Sequence, residues 1–272
     1  VSFNTRDITV NGVQLNVIIE GEGAPVLLIH GFPDSKEIWK YQIPALVEAG
    51  YQVIAPDTRG IGDSQLLPHK SDYQLEYLIE DMRALLDELG IEKVKLVGHD
   101  WGAIISWQLV MTHPERFESF VAMSVGHPAA YMYRGGFRQK LKGWYAIFFQ
   151  LPTLPEWSIK AFNWAMLRGL VKHRGSMDEM TERLGRPGRL TAGINYYRAN
   201  IRRLMGKNWP PMPVAVMGIY STGDAYLTEA QMRNSAEFVS NDFRFELIAD
   251  TGHWMQIDAP EKVNQLLLDY LK

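Results

Sequence analysis

Short apolar runs alternate with longer, helically spaced segments through the first half of the chain. Asp7-Ile8-Thr9-Val10 and the run Val13 to Ile19 flank Asn11-Gly12, a pair suited to the positive φ angles of a two-residue turn, and so predict a β-hairpin. Val26 to Ile29 and Gln52 to Ala55 read as short buried strands without polar alternation. The spacing predicts a helix from Tyr73 to Leu89, with Gly90 placed to cap it. Val94 to Val97 and Phe120 to Val125 add two strands, with a helical run, Ala103 to Val110, between them. Strands alternating with helices predict an α/β fold whose mostly parallel sheet is flanked by helices.

Strand signals stop near Gly126 and resume at Val214. Between them, aromatic residues recur at helical spacing through Trp144, Phe148, Trp157, Phe162 and Trp164, broken by Gly and Pro. The expectation is a helical cap, residues 126–213, inserted into a core made of residues 1–125 and 214–272. Its aromatic residues are expected to pack one helical layer on another. The strand-helix alternation then returns in Val214 to Tyr220 and Phe245 to Ile248 and ends in a helix from Pro260 to Leu271.

Composition narrows the function. The 272 residues are 46% hydrophobic and 22% charged, with a net charge of -3, so no basic footprint favours nucleic acid and a small-molecule substrate is expected. No apolar stretch reaches the roughly 20 residues of a membrane span, and no basic segment leads into an apolar core at the start, so the expected location is cytoplasmic. The chain has no cysteine, which removes disulfides and thiolate metal ligands, and the histidines and carboxylates lack metal-ligand spacing; neither metal nor cofactor is expected.

The candidate chemistry sits at Gly98-His99-Asp100-Trp101-Gly102, between the strand at Val94 and the helix at Ala103. Small residues two positions either side of an apex, in a strand-turn-helix setting, are the signature of a nucleophile elbow, here with Asp100 in the place of the usual serine. An aspartate, with an unperturbed pKa of about 3.9, is ionised at neutral pH without a base. It suits attack on a saturated carbon carrying a strained or good leaving group, such as an epoxide or an alkyl halide. The product is an ester on Asp100, so a second step must hydrolyse it, using a base and an oxyanion hole.

Elbow hydrolases place the acid and then the histidine after the nucleophile. Asp224, just beyond a strand, and His253, in Gly252-His253-Trp254, continue that order. His253 is expected to take a proton from water, and Asp224 to hold its tautomer. Asp250, three residues from His253, competes with Asp224 but is better suited to fixing the loop. Of the other histidines, His30 and His99 are expected to brace the turns, His113 to lie at a helix end, and His69 and His173 to be solvated, with His127 opening the cap. His30-Gly31-Phe32-Pro33 follows the strand ending at Ile29, so the amides of Phe32 and Trp101 are the candidate oxyanion hole.

Together with Asp57-Thr58-Arg59-Gly60 and Gly252-His253-Trp254, these motifs resemble those of the α/β-hydrolase-fold epoxide hydrolases of the soluble type, and the likeness spans essentially the whole chain. The resemblance implies a two-step hydrolysis of an epoxide by water through an alkyl-enzyme ester, with two cap tyrosines that hold the epoxide oxygen and supply a proton. Tyr197, in Ile194-Asn195-Tyr196-Tyr197-Arg198, matches one of them and Tyr145 the other, with Tyr196 as the neighbour that could stand in for Tyr197. Ala146 replaces a larger polar residue found in some relatives, which bears on substrate preference.

A pocket lined by Phe32, Trp101 and Phe149 is expected to favour an apolar epoxide. Haloalkane dehalogenases are the alternative, sharing the aspartate and the following tryptophan, but they commonly carry a second halide donor where this chain has Phe32. A binding-only relative would tend to lose one of Asp100, Asp224 and His253. Nothing in the sequence specifies an oligomeric state.

Overall fold

In a computed structural model, residues 3–172, 175–205 and 208–272 are described; His173 lies outside them. Eight strands, β1 (Thr5–Val10), β2 (Val13–Glu20), β3 (Ala24–Ile29), β4 (Tyr51–Pro56), β5 (Val94–His99), β6 (Phe117–Met123), β7 (Val216–Ser221) and β8 (Phe243–Ile248), form one sheet in the order β1-β2-β4-β3-β5-β6-β7-β8. The β1/β2 and β2/β4 pairs are antiparallel and the rest parallel. Asn11 and Gly12 take φ of 48° and 73°, the left-handed pair a twisted hairpin turn demands. Val26 to Ile29 are all fully buried, and consecutive buried positions mean that both faces of the strand are covered.

Helices α1 (Gln42–Glu48), α2 (Leu75–Glu88) and α3 (Trp101–Thr112) lie in the connections β3 to β4, β4 to β5 and β5 to β6, with α1 packed on the C-terminal helix and α2 on α3. α3 is apolar nearly all round and buried, as a helix enclosed by sheet and neighbours must be. Two predicted boundaries move, each for a backbone reason. The helix expected from Tyr73 starts at Leu75, because Gln74 is extended (φ -65°, ψ 144°), and a 3-10 turn, Lys70–Tyr73, precedes it. The strand expected to reach Val125 stops at Met123, because Ser124 takes a φ of 68°.

Between β6 and β7 the described residues form α4 (Pro128–Arg134), α5 (Gly136–Lys142), α6 (Trp144–Phe148), α7 (Leu154–Leu170), α8 (Met177–Gly185) and α9 (Arg189–Leu204). α10 (Glu229–Arg233), α11 (Met255–Asp258) and α12 (Pro260–Tyr270) follow.

The expectation that the aromatic residues of 126–213 pack between helical layers is overturned for several of them. Trp144 and Trp157 are exposed, and Phe162 is 87% exposed. Helical spacing records which residues share a face but not whether that face is covered. Phe162 projects because α7 is kinked: Ala161 is extended and Phe162, Asn163 and Trp164 are left-handed, a conformation costing L-residues roughly 1–2 kcal/mol each.

α9 is fastened to the core by buried polar contacts. The Tyr196 hydroxyl meets Thr58 Oγ1 at 2.8 Å and donates to the Arg59 carbonyl at 2.9 Å. Asn200 accepts from the Leu75 amide at 2.7 Å and donates to the Tyr73 carbonyl at 2.8 Å. Arg59 is itself held by the buried carboxylate of Asp81 in a two-point pair, the geometry a planar guanidinium favours. The backbone next to Tyr197 is therefore tied to the sheet layer across more than 130 residues of sequence.

Candidate active site

In a doubly wound sheet, the crevice at the carboxyl ends of strands opens where the strand order reverses. Here that point lies between β3 and its neighbours β4 and β5. The loop after β3 carries Phe32 and Asp34, and the turn after β5 carries Asp100. Asp100 has φ 53° and ψ -118°, a sparsely populated conformation that persists only where the surroundings enforce it. They do so by close approach. A Cβ on Gly102 would stand 2.0 Å from the Ile29 carbonyl oxygen, and one on Gly31 would stand 2.4 Å from Asp100 Cβ.

The strained turn presents the Asp100 side chain at the N-terminus of α3, where backbone N–H groups lack helical partners and favour negative charge. The Phe32 amide donates to Asp100 Oδ1 at 2.9 Å. Trp101 opens α3, so its amide is one of the free helical donors beside the same carboxylate. His253 Nε2 lies 3.6 Å from Asp100 Oδ2. On the other side of the imidazole, Nδ1–H donates to Asp224 Oδ2 at 2.7 Å. The other oxygen of Asp224 accepts the amides of Tyr226 at 2.7 Å and Leu227 at 2.9 Å, which leaves that carboxylate with a single orientation. The structure thus brings Asp100, His253 and Asp224 into one line. Asp250 is exposed, and its amide donates to Thr222.

The charges follow from this arrangement. Burial by itself would lower the His253 pKa, but the carboxylates of Asp224 and Asp100 outweigh it and push it up to about 10. Burial would raise that of Asp224, yet His253 and the two amides hold it below the usual carboxylate range. His99, whose ring centroid is 4.7 Å from that of His253, is driven by burial down to about 3. It is neutral, and its Nε2–H donates to the His253 carbonyl at 3.0 Å, a carbonyl that also accepts from Ser124 Oγ at 3.3 Å. His30 Nε2 accepts the Thr58 amide at 3.1 Å, and both histidines brace loops. His113 ends α3, His69 is exposed, and His127 is a buried N-cap of α4.

Two phenols face the carboxylate. Tyr145 on α6 and Tyr197 on α9 have ring centroids 5.8 Å apart, and both line a cavity of about 50 Å³ together with Asp100, His253, Phe32 and Phe149. Burial pushes both hydroxyls well above 10; Tyr197 is raised further by the charge of Asp100, with Trp101 opposing, so both are proton donors at neutral pH. Trp101, expected on the pocket wall, packs edge-on behind Tyr197 at 5.1 Å and Tyr196 at 5.6 Å. Tyr196 points instead into the core contacts already described.

Several contributors escape the sequence patterns. Asp34 accepts the Trp254 indole N–H at 2.7 Å, which joins the β3 loop to the residue after His253. Burial raises its carboxyl to about 6, with the Trp254 hydrogen bond opposing. Tyr226 packs against the His253 ring at 5.3 Å and donates its hydroxyl to the Leu170 carbonyl at 2.6 Å. The available signals were adjacency alone: Tyr226 lies two positions after Asp224, and Trp254 follows His253. Tyr226, Leu170, His253 and Trp254 also wall a second, wider opening of about 430 Å³ that Leu141 and Trp144 line from outside.

Among the described residues no group of His, Asp or Glu is placed to hold a metal ion, and no helix is long and apolar enough to cross a membrane.

The chain matches the alpha/beta hydrolase fold family over residues 24–260. Human epoxide hydrolase 4 is 31% identical over 280 residues, which take in 96% of this chain and 76% of the human protein. Epoxide hydrolase A of Mycobacterium tuberculosis is 31% identical over 315 residues, or 98% of this chain and 96% of that protein. The crystal structure of an epoxide hydrolase from Vigna radiata superposes with a TM-score of 0.86 at 28% identity, covering 99% of this chain and 97% of that one. Strand order, elbow and these likenesses agree, and the chain belongs to the α/β hydrolase fold family.

Proposed function

We propose that this chain is an epoxide hydrolase that turns an apolar epoxide and water into a vicinal diol through an ester on Asp100. The observation that carries the reading is the confrontation of one carboxylate with two protonated phenols, Tyr145 and Tyr197, across a single small cavity. An epoxide needs a nucleophile at carbon and an acid at oxygen, and this site offers both. Residues 126–213 act as the cap that supplies the acids and shields the ester from bulk water.

In the first step Asp100 attacks a ring carbon. The new C–O bond replaces the ring C–O bond, and the departing oxygen takes a proton from Tyr197 or Tyr145. The ester removes the Asp100 charge that helps hold the proton on His253, so the imidazolium can pass that proton to the tyrosinate left by the first step and enter the second as a free base. In the second step His253 takes a proton from water, which attacks the Asp100 carbonyl carbon. The resulting oxyanion is stabilised by the Phe32 and Trp101 amides. Collapse releases the diol, whose second hydroxyl takes the remaining water proton, returns Asp100, and leaves His253 protonated as at the start. Asp224 steadies the imidazolium.

Phe32 offers no side-chain donor for a halide, which weighs against the dehalogenase reading, and Phe32 and Phe149 make the wall apolar. The location that goes with this reading is the cytoplasm, on the sequence expectation alone. The test is one turnover in heavy-oxygen water with enzyme in excess over styrene oxide. The diol should carry ordinary oxygen and the label should enter Asp100. Label in the first-turnover diol would mean direct attack by water and would defeat the ester mechanism.

A further inference from the structure

The outer face of the helical segment carries chemistry that the proposed reaction does not use. α5 passes into α6 with Gly143 N–H still donating to the Gln139 carbonyl at 3.0 Å, so residues 137–148 run as a nearly continuous helix. Its inner side holds Gln139, Tyr145 and Phe149. Its outer side carries Phe137, Leu141, Trp144 and Ile147, all exposed, at spacings that share one face. Phe137 is 73% and Ile147 70% exposed. Soluble proteins rarely leave such a concentration of large apolar side chains uncovered.

Charge identifies what would cover it. Between residues 134 and 172 the chain has seven Lys and Arg against a single carboxylate, Glu156, in a protein of net charge -3. Glu156 is taken by Arg198, and Arg134 and Arg168 pair with Glu237 and Asp178, which leaves five cations in the segment without a carboxylate partner among the ion pairs of the described residues. Arg138 and Lys140 lie beside the apolar stripe, exposed, and Lys160 sits over the Trp164 ring. A second copy of the chain meeting this face about a two-fold axis would set these cations against themselves. An anionic bilayer satisfies both features, taking aromatic and aliphatic side chains at its interface and Lys and Arg among its headgroups.

We propose that the face formed by Phe137, Leu141, Trp144 and Ile147, with Arg138 and Lys140 beside it, docks on an anionic lipid bilayer. Leu141 and Trp144 also line the wider opening that reaches His253, so docking sets the mouth of the site against the lipid. If the epoxide hydrolase reading holds, on which this last clause rests, an apolar epoxide dissolved in the bilayer has a direct way in.

Vesicle flotation of the whole chain tests the proposal without reference to activity. Phosphatidylglycerol-containing vesicles should carry the protein and pure phosphatidylcholine vesicles should not, with release at high salt. Lipids brominated near the headgroup should quench the tryptophan emission of the wild type. R138E with K140E, and separately Phe137→Ser with Ile147→Ser, should lower the bound fraction at least tenfold while hydrolysis of a water-soluble epoxide stays unchanged. Absence of binding, equal binding to both vesicles, or a wild-type dimer that Phe137→Ser with Ile147→Ser turns into a monomer would overturn it. Binding without any hydrolysis would sink the activity and leave the docking intact.

Discussion

His253 Nε2 stands 3.6 Å from Asp100 Oδ2, so the group proposed as base sits against the group proposed as nucleophile. The imidazole is most basic while that carboxylate is free, and it is wanted as a base only when the carboxylate has become an ester. One contact therefore couples the two steps. Asp224 acts mainly in the second, since the imidazolium it steadies forms as water is deprotonated. Asp224→Asn is expected to slow ester hydrolysis by about 100-fold or more and ester formation by much less. Pre-steady-state kinetics with the opposite ordering would remove that role.

Replacing Tyr197 with Phe takes away one of two donors to the developing alkoxide. Alkylation should slow by roughly tenfold to 100-fold, less than for a lone donor because Tyr145 remains. The double change with Tyr145→Phe should cost more than either alone. An unchanged alkylation rate in the Tyr197 variant would take that residue out of the site.

The raised pKa of His253 also affects stability. Its folded value of about 10 lies above the ordinary 6.5, so the stabilisation is fully present below about pH 6.5 and is lost as pH rises through about 10. Urea unfolding of wild type and His253→Gln should show a gap that is largest near pH 6 and narrows toward pH 10. A gap that widens over that range would contradict the assigned ion pairs.

Asp34 has the opposite consequence. Burial lifts its carboxyl from 3.8 to about 6, so the folded state holds the proton more tightly and loses stability as pH rises from about 4 to 6. Asp34→Asn keeps an acceptor for the Trp254 indole without the charge, and its stability relative to wild type should rise over that interval. Asp34→Leu removes the acceptor at 2.7 Å from the Trp254 indole and should cost about 1–3 kcal/mol. Equal pH profiles for wild type and Asp34→Asn would refute the assignment.

The parts of the fold legible in sequence were those governed by local rules. Asn11-Gly12 names its own turn, and the glycines around Asp100 are required by backbone approaches that no side chain survives. Tyr197 and Tyr145 were reached only by resemblance, because nothing in their own neighbourhoods shows that α6 and α9 converge. Tyr226 and Leu170 meet across 56 residues through a hydroxyl and a carbonyl, a contact without periodicity to betray it. Trp144, Trp157 and Phe162 stand exposed against expectation because an apolar residue at helical spacing looks the same in sequence whether another helix covers it or nothing does.

The most direct test of the central claim is the intact mass of His253→Gln after incubation with styrene oxide and, separately, with a bromoalkane. With its base removed, the enzyme should retain the ester. The account predicts a gain equal to the whole epoxide, because ring opening is an addition, mapped to Asp100. A gain of only the alkyl group from the bromoalkane, with no epoxide adduct, would contradict it and make the protein a dehalogenase.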